Sequence, residues 1–255
     1  MSKDSEPVFT ILTEEDFKEI RVPPPLIAFY GEPKIGKTTL AAQFPKPIII
    51  WTERGAAAIK VPKLPVHNPA RSWNEVLGSI RVLLREDHNR QTVVLDTLDV
   101  AEKLCKEHVI QTEFEGSHAK YMSYYKGPPV FRAEFKRLLD GLELLRDRKN
   151  MTVIVIAHDG LQKGSNMLGE DYKKFAGNLS DRECWTMVRD WVDMLGHACK
   201  ELYVEDGKAR QVGTGRWLVF EGSPARDAGC RAGYEMPAKI QLSYEEFAKN
   251  FKLTL

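Results

Sequence analysis

The chain has 255 residues, is 43% hydrophobic and 29% charged, and carries a net charge of +1. That suits a soluble globular protein with room for one large α/β domain, or a domain with a small appendage. It excludes a global field that would draw the chain onto nucleic acid or a membrane, so any basic site must be local. The four cysteines, Cys105, Cys184, Cys199 and Cys230, form no C-x-x-C pair. They point to reduced cytosolic thiols rather than to a disulfide framework or a zinc site. The polar, acidic N-terminus does not read as a signal peptide, and no apolar run approaches membrane-spanning length.

In chain order, residues 1–22 are polar, with a short helical candidate at "TEEDFKEI". The "PPP" run Pro23–Pro25 is a stiff connector. "LIAFY" is a strand buried on both faces, and "GEPKIGKTT" opens a helix, "KTTLAAQF". "KPIIIWTE" is a second buried strand and "LPVHN" a short third. "SWNEVLGSIRVLLRED" is an amphipathic helix with a Ser72/Glu75 capping box. "QTVVLD" delivers an acid at the end of a buried strand. "VAEKLCKEHVIQTEF" and "FRAEFKRLLDGLELLRDR" are helical, and the polar, aromatic "EGSHAKYMSYYKGPP" between them reads as a loop. "MTVIVIAH" is another buried strand. "DGLQKGSNMLGEDYKKFAGNLS" after it reads as a long polar loop, followed by a helix, "DRECWTMVRDWVDML". "ACKELYVEDGKARQVGTGRWLVFEG" reads as two strands around an Asp206-Gly207 hairpin turn. "AKIQL" and a helix, "SYEEFAKNF", capped by Ser243 and Glu246, close the chain. Strands alternating with helices predict a mostly parallel sheet flanked by helices, with a C-terminal antiparallel hairpin.

"GEPKIGKT" fits G-x-x-x-x-G-K-T between a strand and a helix. Gly31, Glu32, Pro33, Lys34, Ile35, Gly36, Lys37, Thr38 and Thr39 are the expected nucleotide cradle. Its backbone N–H groups and the helix N-terminus turn toward the phosphates. Lys37 reaches the β- and γ-phosphates, and Thr38 with Asp96 is expected to hold Mg²⁺. Many nucleotide hydrolases place a glutamate directly after that aspartate, whereas here Thr97 follows. A water-activating carboxylate must stand near the γ-phosphate at the C-terminal edge of the sheet. "IIIWTE" delivers Glu53 there, and Asp99 is the second candidate. A solvated acid before Gly55 is the alternative reading of Glu53. His158, at the end of "VIVIAH", is placed to touch the γ-phosphate. Alternatively it is a histidine satisfied by neighbouring backbone.

"GEPKIGKTT", "IIIWTERG", "TVVLDTLD" and "VIVIAH", in that order over roughly residues 26–240, together resemble the RecA/RadA-like P-loop ATPase core. They look most like its short phage-encoded relatives, which are associated with single-strand annealing and recombination. The resemblance implies a RecA-like fold over 26–255, ATP and Mg²⁺ as ligands, and DNA-stimulated ATP hydrolysis. It also implies Glu53 as the catalytic base and His158 as the γ-phosphate sensor. The segment after His158 would be a DNA-binding loop. "SPARDAGCRAGYEMP" matches the segment that sends basic residues to a neighbour's nucleotide, here Arg226 or Arg231. The Lys-x-Arg pair expected in the phage group is reduced to Arg231 alone, which weakens the case for tight activation by a neighbour. A homo-oligomer, ring or filament, is implied, with residues 1–25 as a possible joining segment and Phe9 as its anchor. A strand folded back on its own domain is the other reading of that segment. The implied setting is the bacterial cytoplasm, as a phage or prophage protein, with a single-strand binding protein as a further partner.

Two segments are candidates for single-stranded DNA. One holds Lys120, Tyr121, Tyr124, Tyr125 and Lys126, where aromatic faces would stack bases and lysines hold phosphates; the alternative is a loop whose tyrosines pack on the domain surface. The other holds Lys163, Lys173, Lys174 and Arg182 among several acids. Neither offers a groove-reading helix, so binding would be sequence-independent and salt-sensitive. The alternatives are a nucleotide switch or motor acting on a protein partner, such as a helicase loader or packaging-like ATPase, and a small-molecule kinase. The kinase would need an arginine lid, for which "LLREDHNR" is the nearest candidate.

Overall fold

A computed structural model describes residues 22–164, 169–205 and 208–253. The "TEEDFKEI" helix, the Phe9 segment and the Asp206-Gly207 turn lie outside the described residues. The chain runs β1 (Leu26–Gly31), α1 (Lys37–Ala41), β2 (Pro47–Trp51), β3 (Lys63–Leu64), α2 (Trp73–Arg85), β4 (Thr92–Asp96), α3 (Leu98–Glu113), α4 (His118–Met122) and α5 (Gly127–Lys149). It continues through β5 (Thr152–Gly164), β6 (Tyr172–Gly177), α6 (Arg182–Trp191), β7 (Met194–Glu205), β8 (Lys208–Val219), β9 (Gly229–Cys230), β10 (Tyr234–Glu235), β11 (Lys239–Gln241), α7 (Tyr244–Asn250) and β12 (Lys252–Leu253).

The sheet order is β11-β8-β7-β1-β5-β4-β2-β3. From β7 to β3 every pairing is parallel, and β8 and β11 extend that edge antiparallel. This is the mostly parallel sheet expected, with the antiparallel hairpin built into its edge. Successive residues of a strand face opposite sides, and two cores result. Leu26, Ala28 and Tyr30 of β1 join Val93, Leu95, Val153 and Val155 under α2, α3, α5 and α6. Ile27 and Phe29 join Ile49, Val94, Ile154 and Ile156 on the other face, closed by α1 and by Phe247 of α7. Strands buried on both faces need no polar alternation, which is why they read as continuous apolar runs.

Ser72 accepts the Glu75 N–H at the start of α2, while the Glu75 carboxylate takes the Arg71 N–H. Ser243 accepts the Glu246 N–H at the start of α7. Both serines are therefore N-caps at real helix starts, while the reciprocal glutamate bond goes to Arg71 in the first and is replaced by the Gln241 carbonyl in the second.

Several elements differ from the sequence reading. The long loop after His158 is ordered pairing: β5 runs on past the sheet and β6 returns antiparallel along it. The "HAKYMSYYKG" loop is the short helix α4 followed by a 3-10 turn at Ser123–Tyr125, and α5 begins at Gly127. Tyr121 decides this segment. Its ring packs edge-on against Phe114 and leaves no room for a Cβ at residue 127, so the chain there must be glycine. The helix after the phosphate loop stops at Ala41. Met194 and Leu195, read as the end of a helix, belong to β7. The Asp193 carboxylate beside them takes the Leu26 N–H and so pins β7 next to β1.

Candidate nucleotide site

The C-terminal ends of β1, β2, β4 and β5 meet at one corner of the sheet. Gly31 ends β1 hard against β7: a Cβ there would lie 2.1 Å from the Ala198 carbonyl oxygen. Between Gly31 and Lys37 the chain folds over with Lys34 at φ 66° and Gly36 at φ 118°, left-handed conformations that let the loop close on itself. Ile35 sends its side chain into the core, so only its backbone serves the loop. Lys37 is almost fully buried, and its Nζ donates to the Gly31 and Glu32 carbonyls at 2.6 and 2.8 Å. An ammonium has three donors, so the chain holds this one in place and leaves one direction for a ligand. Burial lowers the Lys37 pKa, while Asp159, Asp96, Asp99 and Glu53 pull the other way.

Thr38, at the start of α1, donates its hydroxyl to Asp96 Oδ2 at 2.9 Å. Burial pushes the Asp96 carboxyl up to about 6, against the pull of that hydrogen bond. The Asp96–Thr97 peptide is cis. Thr52, next to Glu53, holds this corner with one hydroxyl: Oγ1 accepts the Thr97 N–H at 2.8 Å and donates to the Thr97 carbonyl at 2.9 Å. Glu53 is half-buried in extended backbone just past β2, with its carboxylate against Gly55. His158 receives both oxygens of Asp99. Its backbone N–H donates to Oδ1 at 3.2 Å and its Nδ1 lies 3.0 Å from Oδ2. That bond raises the His158 pKa. Burial would raise the Asp99 carboxyl, but the His158 bonds outweigh it and hold the pKa below the usual value. Asp99 is thus occupied as the partner of His158, whereas Glu53 stands open. Lys34, Gly36, Lys37, Thr38, Thr39, Glu53, Asp96 and His158 all line one cleft of about 440 Å³.

The donor set fits a magnesium ion. A hydroxyl and a buried carboxylate already touch, both are hard oxygen donors, and a cation beside them would draw the carboxyl to its ionised form. Among the described residues no cluster of three or more His, Cys, Asp or Glu side chains could hold a metal alone. An ion that arrives with phosphate oxygens needs no such cluster.

The residues singled out for nucleic acid separate sharply. Tyr124 and Tyr125 are 91% and 75% exposed, while Tyr121 is 2% exposed and offers no face to a base. Lys120 pairs with Glu115, and Lys126 is exposed. Lys163 and Lys173 stand directly opposite each other across the β5–β6 hairpin, both exposed. Lys174 is half-buried and tied to Asp227 at 2.6 Å, so it is not presented to a ligand. Arg182 is exposed and donates to the Lys163 carbonyl.

Arg231 lies near the N-terminal end of β7, away from the cleft. It donates to Asp193 Oδ1 at 3.1 Å and to the Asp190 carbonyl at 2.6 Å. Arg226 reaches toward Cys199. Two residues escaped the sequence reading. Arg216 of β8 donates to the Ile35 carbonyl at 3.0 Å, bracing the phosphate loop from 181 residues away. Glu102 is wholly buried in α3 and accepts from the Ser180 N–H, the Ser180 hydroxyl and the Asp181 N–H. A fully buried charge needs such partners. Its place three residues after Asp99, on the same helix face, was the available signal for it.

No curated protein sequence matches the chain. Among solved structures, the RadB recombinase superposes with a TM-score of 0.44 at 18% identity, over 77% of this chain and 80% of that one. That distant likeness adds nothing to the strand order read directly. No helix among the described residues is long and apolar enough to cross a membrane. A family described as AAA domain matches residues 24–232, most of the chain and all of the nucleotide corner. With its phosphate loop and strand-end aspartate on a mostly parallel sheet, the chain belongs to that family of AAA-type P-loop domains.

Proposed function

We propose that the protein binds and hydrolyses ATP with Mg²⁺, and that it binds single-stranded DNA in phage-type homologous recombination or strand annealing. One observation carries the ATPase half: Lys37, the Thr38–Asp96 pair, Glu53 and His158 line the same cleft. The loop backbone and the helix N-terminus hold the triphosphate, and Lys37 turns its remaining donor to the γ-phosphate. Thr38 and Asp96 would hold the magnesium ion, which when bound would supply charge neutralisation at the phosphate oxygens. Glu53 orients water for in-line attack and accepts its proton. His158, oriented by Asp99 and with its pKa raised by that bond, would donate to the γ-phosphate from the foot of the hairpin.

The DNA half rests on the opposed Lys163 and Lys173. Like charges directly across a sheet destabilise it, and a phosphate between them would relieve the repulsion. Tyr124 and Tyr125 supply stacking faces. Residues 1–25 would join protomers of a ring or filament, with Arg226 or Arg231 near a neighbour's site. Arg231 would first have to leave Asp193. Residues 83–90, at the end of α2, are not among those that line the cleft.

The test is the Mg²⁺-dependent ATPase rate, alone and with single-stranded or duplex DNA, beside Glu53→Gln. Stimulation by single strands, with a loss of about 10²–10⁴-fold in the variant while nucleotide still binds, is the expected result. A rate indifferent to DNA would replace the recombination reading with a nucleotide switch acting on a protein partner. Full activity in Glu53→Gln would remove Glu53 as the base.

A further inference from the structure

A cavity of about 720 Å³, lined in part by Glu32, opens between the β5–β6 hairpin and β7–β8. Apart from Glu32 and Arg226, the ATPase reading gives its lining no role. His197 and Cys199 face it together, two residues apart on β7. His197 is 2% exposed, and neither ring nitrogen has a hydrogen-bond partner among the described residues. It is clamped between Tyr30 and Phe175, with ring centroids at 4.6 and 5.3 Å. Its nearest charge is Asp159, with Oδ2 3.7 Å from Nε2. On the other side, Arg226 Nη1 points at Cys199 Sγ from 3.6 Å.

A buried imidazole with no hydrogen bond is costly, and such a group calls for a partner. Here an aspartate lies at one end of the histidine and a thiol beside it. Burial alone would raise the Cys199 thiol, but His197 and Arg226 outweigh it and lower the pKa. Burial alone would lower His197, but Asp159 and Cys199 outweigh it and raise the pKa. Both directions favour a thiolate–imidazolium pair, and the thiolate is the reactive form of cysteine. The other three thiols have no such setting. Cys105 and Cys184 are wholly buried. Cys230 is exposed, yet its thiol is pushed up to about 11.

We propose that Cys199 is a peroxide-reactive thiol, held beside His197 and Arg226 in this cavity and oxidised there to a sulfenic acid. The Cys199 thiolate attacks one peroxide oxygen, the O–O bond breaks, and the second oxygen leaves as hydroxide, protonated by the His197 imidazolium. Sulfur is oxidised and peroxide is reduced to water.

The test treats the full-length protein with hydrogen peroxide at neutral pH and traps sulfenic acid with a dione probe. Each cysteine is then mapped by mass spectrometry, and rates are read while Cys105 and Cys184 stay unlabelled. Cys199, although less exposed, should label faster than Cys230 by on the order of tenfold or more. Arg226→Gln should slow Cys199 labelling several-fold and leave Cys230 unchanged. Labelling of Cys230 at an equal or higher rate in the unsubstituted protein would overturn the proposal without reliance on any variant. An unchanged Cys199 rate in Arg226→Gln would overturn the part given to the guanidinium.

Discussion

The nucleotide corner and the hairpin that rises from it share strand β5, yet different forces hold them. From Thr152 to Ala157 the strand is enclosed between β1 and β4. Past His158 it leaves the sheet, pairs only with β6, and exposes Leu161 and Lys163. The phosphate loop is fixed by short-range chemistry, a left-handed glycine and a lysine folded onto its own loop, and the Thr38–Asp96 contact ties it to a distant strand. The hairpin stands on long-range polar contacts, Asp99 to His158 at one foot and Glu102 to Ser180 and Asp181 at the other. Chemistry confined to a few neighbouring residues survives as a motif, whereas a part held from a distant helix leaves little trace in its own sequence.

The sharpest break of this contrast is Lys37→Ala. It should reduce turnover by about 10²–10³-fold, because the transferring phosphate loses its fixed cation. Binding of a fluorescent nucleotide analogue should weaken in parallel, while the urea midpoint stays near that of the unsubstituted protein. Retained turnover would mean that Lys37 keeps to the loop carbonyls throughout.

Glu102→Gln strikes the hairpin's foot instead. The amide can accept from fewer of the three donors and brings an N–H₂ group toward them, so the expected cost is about 2–3 kcal/mol in urea unfolding. ATP affinity should change far less than in Lys37→Ala. Equal losses of both would erase the distinction between corner and hairpin.

Tyr124→Ala and Tyr125→Ala should each weaken single-stranded DNA binding by about 1–3 kcal/mol per lost stacking contact, with stability unchanged. Tyr121→Ala should do the reverse and destabilise the fold, since that ring is core. Fluorescence anisotropy with a labelled oligonucleotide separates the two classes. A stacking role for the exposed pair is lost if neither substitution moves the affinity.

The smallest effect is a pH dependence. The His158 pKa is raised above the ordinary histidine value of 6.5, first by its bond to Asp99. Its contribution to stability is therefore complete below 6.5 and disappears as pH rises through the raised value. Urea unfolding across that range should show stability declining with pH in the unsubstituted protein and a flatter profile in Asp99→Asn. Parallel profiles would show that the bond carries no charge.

The same contrast explains what the sequence made legible. Gly31 to Thr38, Asp96 and Glu53 could be placed because strand ends and a phosphate loop are written in contiguous residues. The hairpin could not. Gly160, Gly164 and Gly177 lower its strand propensity, and its pairing depends on partners that run from Gly164 opposite Tyr172 out to Asp159 opposite Gly177. Tyr121 was grouped with Tyr124 and Tyr125 by composition, but only the packing of Phe114 against it separates core from surface. Arg216 reaches the phosphate loop from a strand two places away from β1, and no local pattern marks such a contact.

The two carboxylates of α3 also bear on whether the hairpin is a portable part. Residues 158–182 grafted onto another scaffold would arrive with an imidazole, three backbone amides and a serine hydroxyl that lack their acceptors. Any transplant would have to carry the first turns of α3 as well, and with them the aspartate corner from which that helix starts. The smallest exchangeable unit of this molecule is therefore helix and hairpin together.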